Sequence, residues 1–90
     1  MSTLYLNLKT EYFQQIKAGT KPEEYRLMTD HWCKRLEGRA YDRIEIANGY
    51  PKKDDTENRI ERPWRGYEIK TITHPHFGPD PVRVFAIKVN

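Results

Sequence analysis

At 90 residues the chain has material for one domain, 1–90, with a single modest core, and none for a catalytic domain with a separate regulatory one. With 37% hydrophobic, 12% aromatic and 32% charged residues it is polar yet able to bury a core, and a formal net charge of +3 permits encounter with polyanions without requiring it. The lone Cys33 excludes an intrachain disulfide, and the absence of a membrane-length apolar run or a signal-peptide core leads us to expect a reducing cytoplasm and no membrane partner.

Leu4, Leu6 and Leu8 alternate with Tyr5, Asn7 and Lys9, the period-two pattern of a strand with one buried face. From Thr10, read as an N-cap with Glu11 in the first turn, Tyr12, Phe13 and Ile16 recur at helical spacing until Gly19 stops the helix. An extended segment then runs to about Met28. Thr29 and Asp30 cap a second short helix that carries Trp32 and Leu36 and closes at Gly38. Tyr41 to Asn48 reads as a strand with Asp42, Ile44, Ile46 and Asn48 on one side, and Asn48-Gly49 signals a turn.

Tyr50 to Pro63 is charged and poor in apolar residues beyond Ile60, which predicts a surface loop with at most a short helix or ribbon. A strand follows from Tyr67 to Thr73, then a rigid proline-rich connector from His74 to Pro81. Val82 to Val89 is apolar on both faces, as a central strand requires. No repeat or low-complexity tract divides the chain. The expected class is α+β, a small mixed β-barrel with two short helices near the N-terminus.

The run Gly19-Thr20-Lys21-Pro22-Glu23-Glu24-Tyr25-Arg26 concentrates turn chemistry and three charged groups in eight residues. Gly19 suits a helix C-terminus, Pro22 forbids helical continuation and pushes Lys21 into extended backbone, and strand alternation then points Glu24 and Arg26 to one face. A lysine at a tight turn beside a carboxylate and a guanidinium can form a pocket for an anionic, planar or hydrolysable ligand. As a plain surface ion-pair cluster, the same residues contribute less than about 1 kcal/mol per pair.

The pattern Gly-x-Lys-x-x-Glu-x-Arg, placed directly after the first helix and before the second strand, resembles the signature of the ASCH domain family. That family groups small members of the PUA-like β-barrel superfamily, and Gly19, Lys21, Glu24 and Arg26 match it. The resemblance spans nearly the whole chain and implies an RNA or modified-nucleoside partner. Some ASCH members resemble ribonucleases or amidohydrolases acting on acetylcytidine. Those amidohydrolases pair the signature lysine with a threonine where this chain has Glu24, plus a downstream glutamate for which Glu68 is the candidate here. The departure weighs against the amidohydrolase reading.

On the residues themselves, Lys21 either binds phosphate as a point charge or serves as a base if burial and Arg26 lower its pKa. Glu24 either accepts from a base amine or orients Arg26. Tyr50, Lys52, Lys53, Trp64 and Arg65 supply the aromatics and cations that grip phosphates and stack bases, although Asp54 and Asp55 cancel local charge and a tryptophan is more often core than contact. His74 is a further candidate hydrogen-bonding or general-base residue. His74 and His76 flank Pro75 without a third ligand at metal spacing, so no metal is expected. His31 and Cys33, two apart in a helix, do not face each other. No phosphate loop, nucleophile elbow or dinucleotide fingerprint is present, and no cofactor is expected.

Three readings follow. The first is a binder of RNA or a modified nucleoside using Lys21, Glu24 and Arg26. The second is a small amidohydrolase or ribonuclease whose catalytic residues are Lys21 and Glu24, with His74 and Glu68 behind them. The third is a non-catalytic interaction module.

Overall fold

The computed structural model describes residues 2–90. The leucine alternation forms strand β1 (Thr3–Leu8), with Leu4, Leu6 and Leu8 turned inward. Helix α1 (Thr10–Lys17) follows at once and buries Phe13 and Ile16, one turn apart on one face. Eight residues are too few for an isolated helix, so these two anchors, each contributing roughly 1.5–3 kcal/mol, hold it. Its start differs from expectation. Lys9, whose ammonium has no acceptor to offer, occupies the cap position with no side-chain bond, and the Thr10 hydroxyl instead donates to Asn48 Oδ1 at 2.9 Å, tying α1 to the strand Arg43–Asn48.

The helix ends in a Schellman motif. Gly19 takes the left-handed position at φ 82°, its N–H bonding to the Ile16 carbonyl, and the Thr20 N–H reaches the Gln15 carbonyl. That reversal aims the chain into strand β2 (Glu23–Leu27). Helix α2 (Asp30–Leu36) begins as expected, Thr29 Oγ1 accepting from the Trp32 N–H at 3.3 Å. Strands β3 (Arg43–Asn48), β4 (Arg59–Pro63), β5 (Tyr67–Ile72) and β6 (Val82–Lys88) complete the chain, with a 3-10 turn at Pro75–Phe77 before β6.

Strand β4 occupies the end of the segment expected to be a loop. It pairs with β3, Ile60 opposite Ile46, and carries one inward apolar residue where a strand ordinarily shows two or three, so its alternation is faint in sequence. Asp42 lies just outside β3, and its carboxylate accepts the Ser2 N–H at 2.8 Å.

The strands form two three-stranded sheets, β1-β3-β4 and β2-β6-β5. β1 and β3 are parallel, with α1, β2 and α2 in the crossover; every other pairing is antiparallel. β6 is central in its sheet, and Val84, Phe85, Ala86 and Ile87 are all buried, as its two-faced apolar sequence requires. Leu4, Leu6, Leu8, Ile44 and Ile46 from the first sheet meet Phe85 and Ile87 from the second, with Phe13, Ile16 and Leu36 from the helices, in one continuous core. The architecture is therefore α+β with two helices, but among the described residues no ladder joins the sheets, and they do not close into a barrel. No helix among those residues is long and apolar enough to cross a membrane.

Candidate functional site

The end of β1, α1, β2, α2 and the 3-10 turn surround a cleft of about 750 Å³. Pro22 and the Schellman reversal deliver Lys21 to its wall. The ammonium lies 5.1 Å from the Tyr12 ring centroid, 4.8 Å from that of Tyr25 and 3.7 Å from Glu24 Oε1, with the side chain only 11% exposed. Two negative ring faces and a carboxylate thus replace the water that burial removes from the charge.

Alternation along β2 places Glu24 and Arg26 on one face, as expected, and Glu24 is the only buried charged residue among those described. Its Oε2 accepts from Arg26 Nη1 at 2.8 Å, while Oε1 accepts from the Tyr25 N–H at 3.2 Å and faces Lys21. Arg26 also donates to the carbonyls of Tyr25 (2.9 Å) and Asn7 (3.2 Å). Both carboxylate oxygens are engaged within the protein, so Glu24 here orients Arg26 and neutralises part of its charge. The Arg26 guanidinium stands 5.2 Å from the Trp32 ring centroid, and that of Arg35 stands 4.9 Å from it.

Burial, with the Glu11 and Glu24 carboxylates, pushes the Tyr12 phenol above its ordinary pKa. Burial and the Glu23 carboxylate do the same to Tyr25, with Lys70 opposing. Both phenols are therefore neutral at physiological pH and present uncharged rings to Lys21.

His74 precedes the 3-10 turn, and its Nδ1 accepts the His76 N–H at 3.1 Å. With Nδ1 used as an acceptor, the neutral ring carries its proton on Nε2. All three histidines of the chain, His31, His74 and His76, line this cleft. Among the described residues no three His, Cys, Asp or Glu side chains gather as a metal would need.

Of the residues expected from sequence, Lys21, Glu24, Arg26, Tyr50 and His74 come together at the cleft, Tyr50 standing 92% exposed at its rim. Lys52, Lys53, Trp64, Arg65 and Glu68 do not line it. Trp64, whose backbone amide donates to the Asp42 carbonyl, packs its ring edge-on to Tyr41 at 5.1 Å and against the core. Arg65 lines a separate hollow with Arg62, Pro63, Val89 and Asn90. Glu68 pairs with Lys88 at 3.5 Å and Lys70 at 3.9 Å on the second sheet. Lys52 and Lys53 sit exposed in the loop before β4.

Sequence reasoning missed Tyr12 and Tyr25 as the walls around Lys21, and Trp32 with Arg35 as a stack. Trp32 and Arg35 are three apart on α2, a spacing that shares a helical face and was a readable signal. Tyr25 gave none, because alternation assigns it to the face opposite Glu24. It reaches the cleft because β2 is an edge strand around which Lys21 folds.

No family model, curated protein or solved structure matches this chain.

Proposed function

We propose that this chain is a PUA-like, ASCH-type domain that binds single-stranded RNA or a modified nucleoside in the cleft, in a reducing cytoplasm. The observation that carries the reading is where the charge sits. Lys9, Lys21, Arg26 and Arg35 line the cleft against the single carboxylate of Glu24, an excess of three that equals the excess of the whole chain. Those cations stand among Tyr5, Tyr12, Tyr25, Trp32 and Tyr50, so phosphate-binding charge and base-stacking rings share one concavity. Lys21 and Arg26 contact phosphate or a base edge, while Glu24 holds Arg26 in place.

The same geometry favours binding over hydrolysis. Both Glu24 oxygens are engaged, Glu68 lies away from the cleft, and the Nδ1 lone pair of His74 is taken up by the His76 N–H.

Titration of short single-stranded RNAs against the wild type and the double variant Lys21→Ala with Arg26→Ala tests this. Two or three neutralised phosphates predict an affinity loss of roughly tenfold between about 50 and 200 mM salt. The double variant is expected to lose the salt-sensitive binding. Affinity that is indifferent to salt, or that survives in the double variant, refutes the proposal. A purely structural signature instead predicts a lower melting temperature for Lys21→Ala with any RNA signal unchanged.

A further inference from the structure

We infer that His74 is the specificity-determining donor of this cleft, presenting its Nε2–H to a carbonyl oxygen or unprotonated ring nitrogen on the bound base; the inference rests on the binding reading above. Three observations carry it. The first is the tautomer: Pro75 opens the 3-10 turn, the turn directs the His76 N–H at His74 Nδ1 at 3.1 Å, and the proton of the neutral ring is fixed on Nε2. Among the described residues no acceptor bonds to that Nε2–H.

The second is position. The His74 ring centroid lies 5.9 Å from that of Tyr12 and 6.4 Å from that of Tyr25, the two phenols that enclose the Lys21 ammonium. Phe77 supports the ring at 6.0 Å from the turn itself. A fixed donor and a cationic donor therefore border the same pair of aromatic planes.

The third is the state of the remaining polar groups there. Glu24 has both oxygens engaged, and Arg26 gives both Nη1 hydrogens to Glu24 and the Tyr25 carbonyl and one Nη2 hydrogen to the Asn7 carbonyl, which leaves it only donors to offer a ligand. What this end of the cleft offers a ligand is donors beside π-faces. A base that stacks there is held by its acceptor edge, and His74, whose donor direction the turn sets, reads where that acceptor lies.

The test uses two substitutions that divide the imidazole between them. In His74→Gln the side-chain amide reaches the Nε2 position and keeps a donor there. In His74→Asn it reaches the Nδ1 position and keeps the acceptor for the His76 N–H. Wild type and both variants are titrated with four fluorescent homopolymeric RNA oligonucleotides, one per base, and thermal melts confirm folding.

The wild type is expected to prefer some bases over others. His74→Gln should keep the preferred oligonucleotide within about twofold, whereas His74→Asn should weaken it about five- to tenfold and flatten the preference. The assignment is overturned by a wild type without base preference, by a His74→Asn variant that binds like wild type, or by both variants weakening all four RNAs equally. Should His74→Gln fail to fold, His74→Asn alone decides. A wild type that binds none of the four removes the binding reading and this inference with it. RNA binding that is lost in Lys21→Ala with Arg26→Ala but unaltered in His74→Asn removes only the role of His74.

Discussion

Replacing Glu24 by glutamine removes one negative charge from a site where two cations depend on it and leaves the shape of the side chain almost unchanged. Glu24 is 4% exposed, 2.8 Å from Arg26 and 3.7 Å from Lys21. Breaking a fully buried pair costs about 3–5 kcal/mol, because the surviving charge is left without a partner. Here the survivors keep other support. Arg26 still donates to two carbonyls and stands beside Trp32, Lys21 remains between two phenols, and both side chains are between 10 and 20% exposed. We therefore expect about 2–3 kcal/mol of destabilisation.

For a domain of this size that is a fall in Tm of roughly 8–20 °C. The assay is a thermal melt of Glu24→Gln, repeated in an Arg26→Met background where the pair no longer exists. The cost of the second change should shrink there by about 1–2 kcal/mol. A melting temperature lowered by less than about 3 °C refutes the account of Glu24 as the anchor of the cluster. So does an undiminished loss in the Arg26→Met background.

Two further outcomes test the electrostatics and the limits of the cleft. Tyr12 and Tyr25, raised above an ordinary value of 10.0 chiefly by burial, and Lys70, raised above 10.5 by its bonds to Glu23, all hold their protons longer in the folded state than in the unfolded one. Their stabilisation is complete below those ordinary values and is lost as pH rises through the folded ones, so melting temperature should fall above pH 10, and flat stability there would contradict the burial of the phenols. Lys52→Ala with Lys53→Ala, both outside the cleft, should leave RNA affinity within about twofold at physiological salt, and a loss as large as that of Lys21→Ala would relocate the binding surface.

The fold was legible where periodicity is strong. The leucines of β1, the two-faced run of β6, the Thr29 cap and the Gly19 stop each state their element locally. β4 was not, because a strand held by backbone pairing and one inward isoleucine has almost no alternation to read. Within the site, the face shared by Glu24 and Arg26 follows from strand geometry alone. For Trp64 the sequence left contact and core both open, because the interleaving of aromatics with cations is the same whether the ring stacks on a base or on Tyr41, and only its tertiary neighbours decide. The pairing of Lys21 with Tyr12 and Tyr25 joins residues on a helix, a turn and an edge strand. No local pattern encodes it.

The placement of charge connects these levels. On the outer face of the second sheet, Ala86 and Val84 are small residues of the central strand, and the Glu23–Lys70 bridge at 2.8 Å crosses β6 above them. Glu68 extends the ladder to Lys88 and Lys70, so acids and bases cancel there. Arg43–Glu61 and Arg59–Glu45 do the same across β3 and β4. Partly exposed pairs of this kind add little stability, but they remove those faces as sites for a polyanion. In the cleft, by contrast, Lys21, Arg26 and Arg35 share the single carboxylate of Glu24 and stand against Tyr12, Tyr25 and Trp32, where ring faces stabilise positive charge without neutralising it. The proposed binding of an anionic, stackable ligand therefore rests on charge gathered in one aromatic concavity, an arrangement open to a chain whose net charge is only +3.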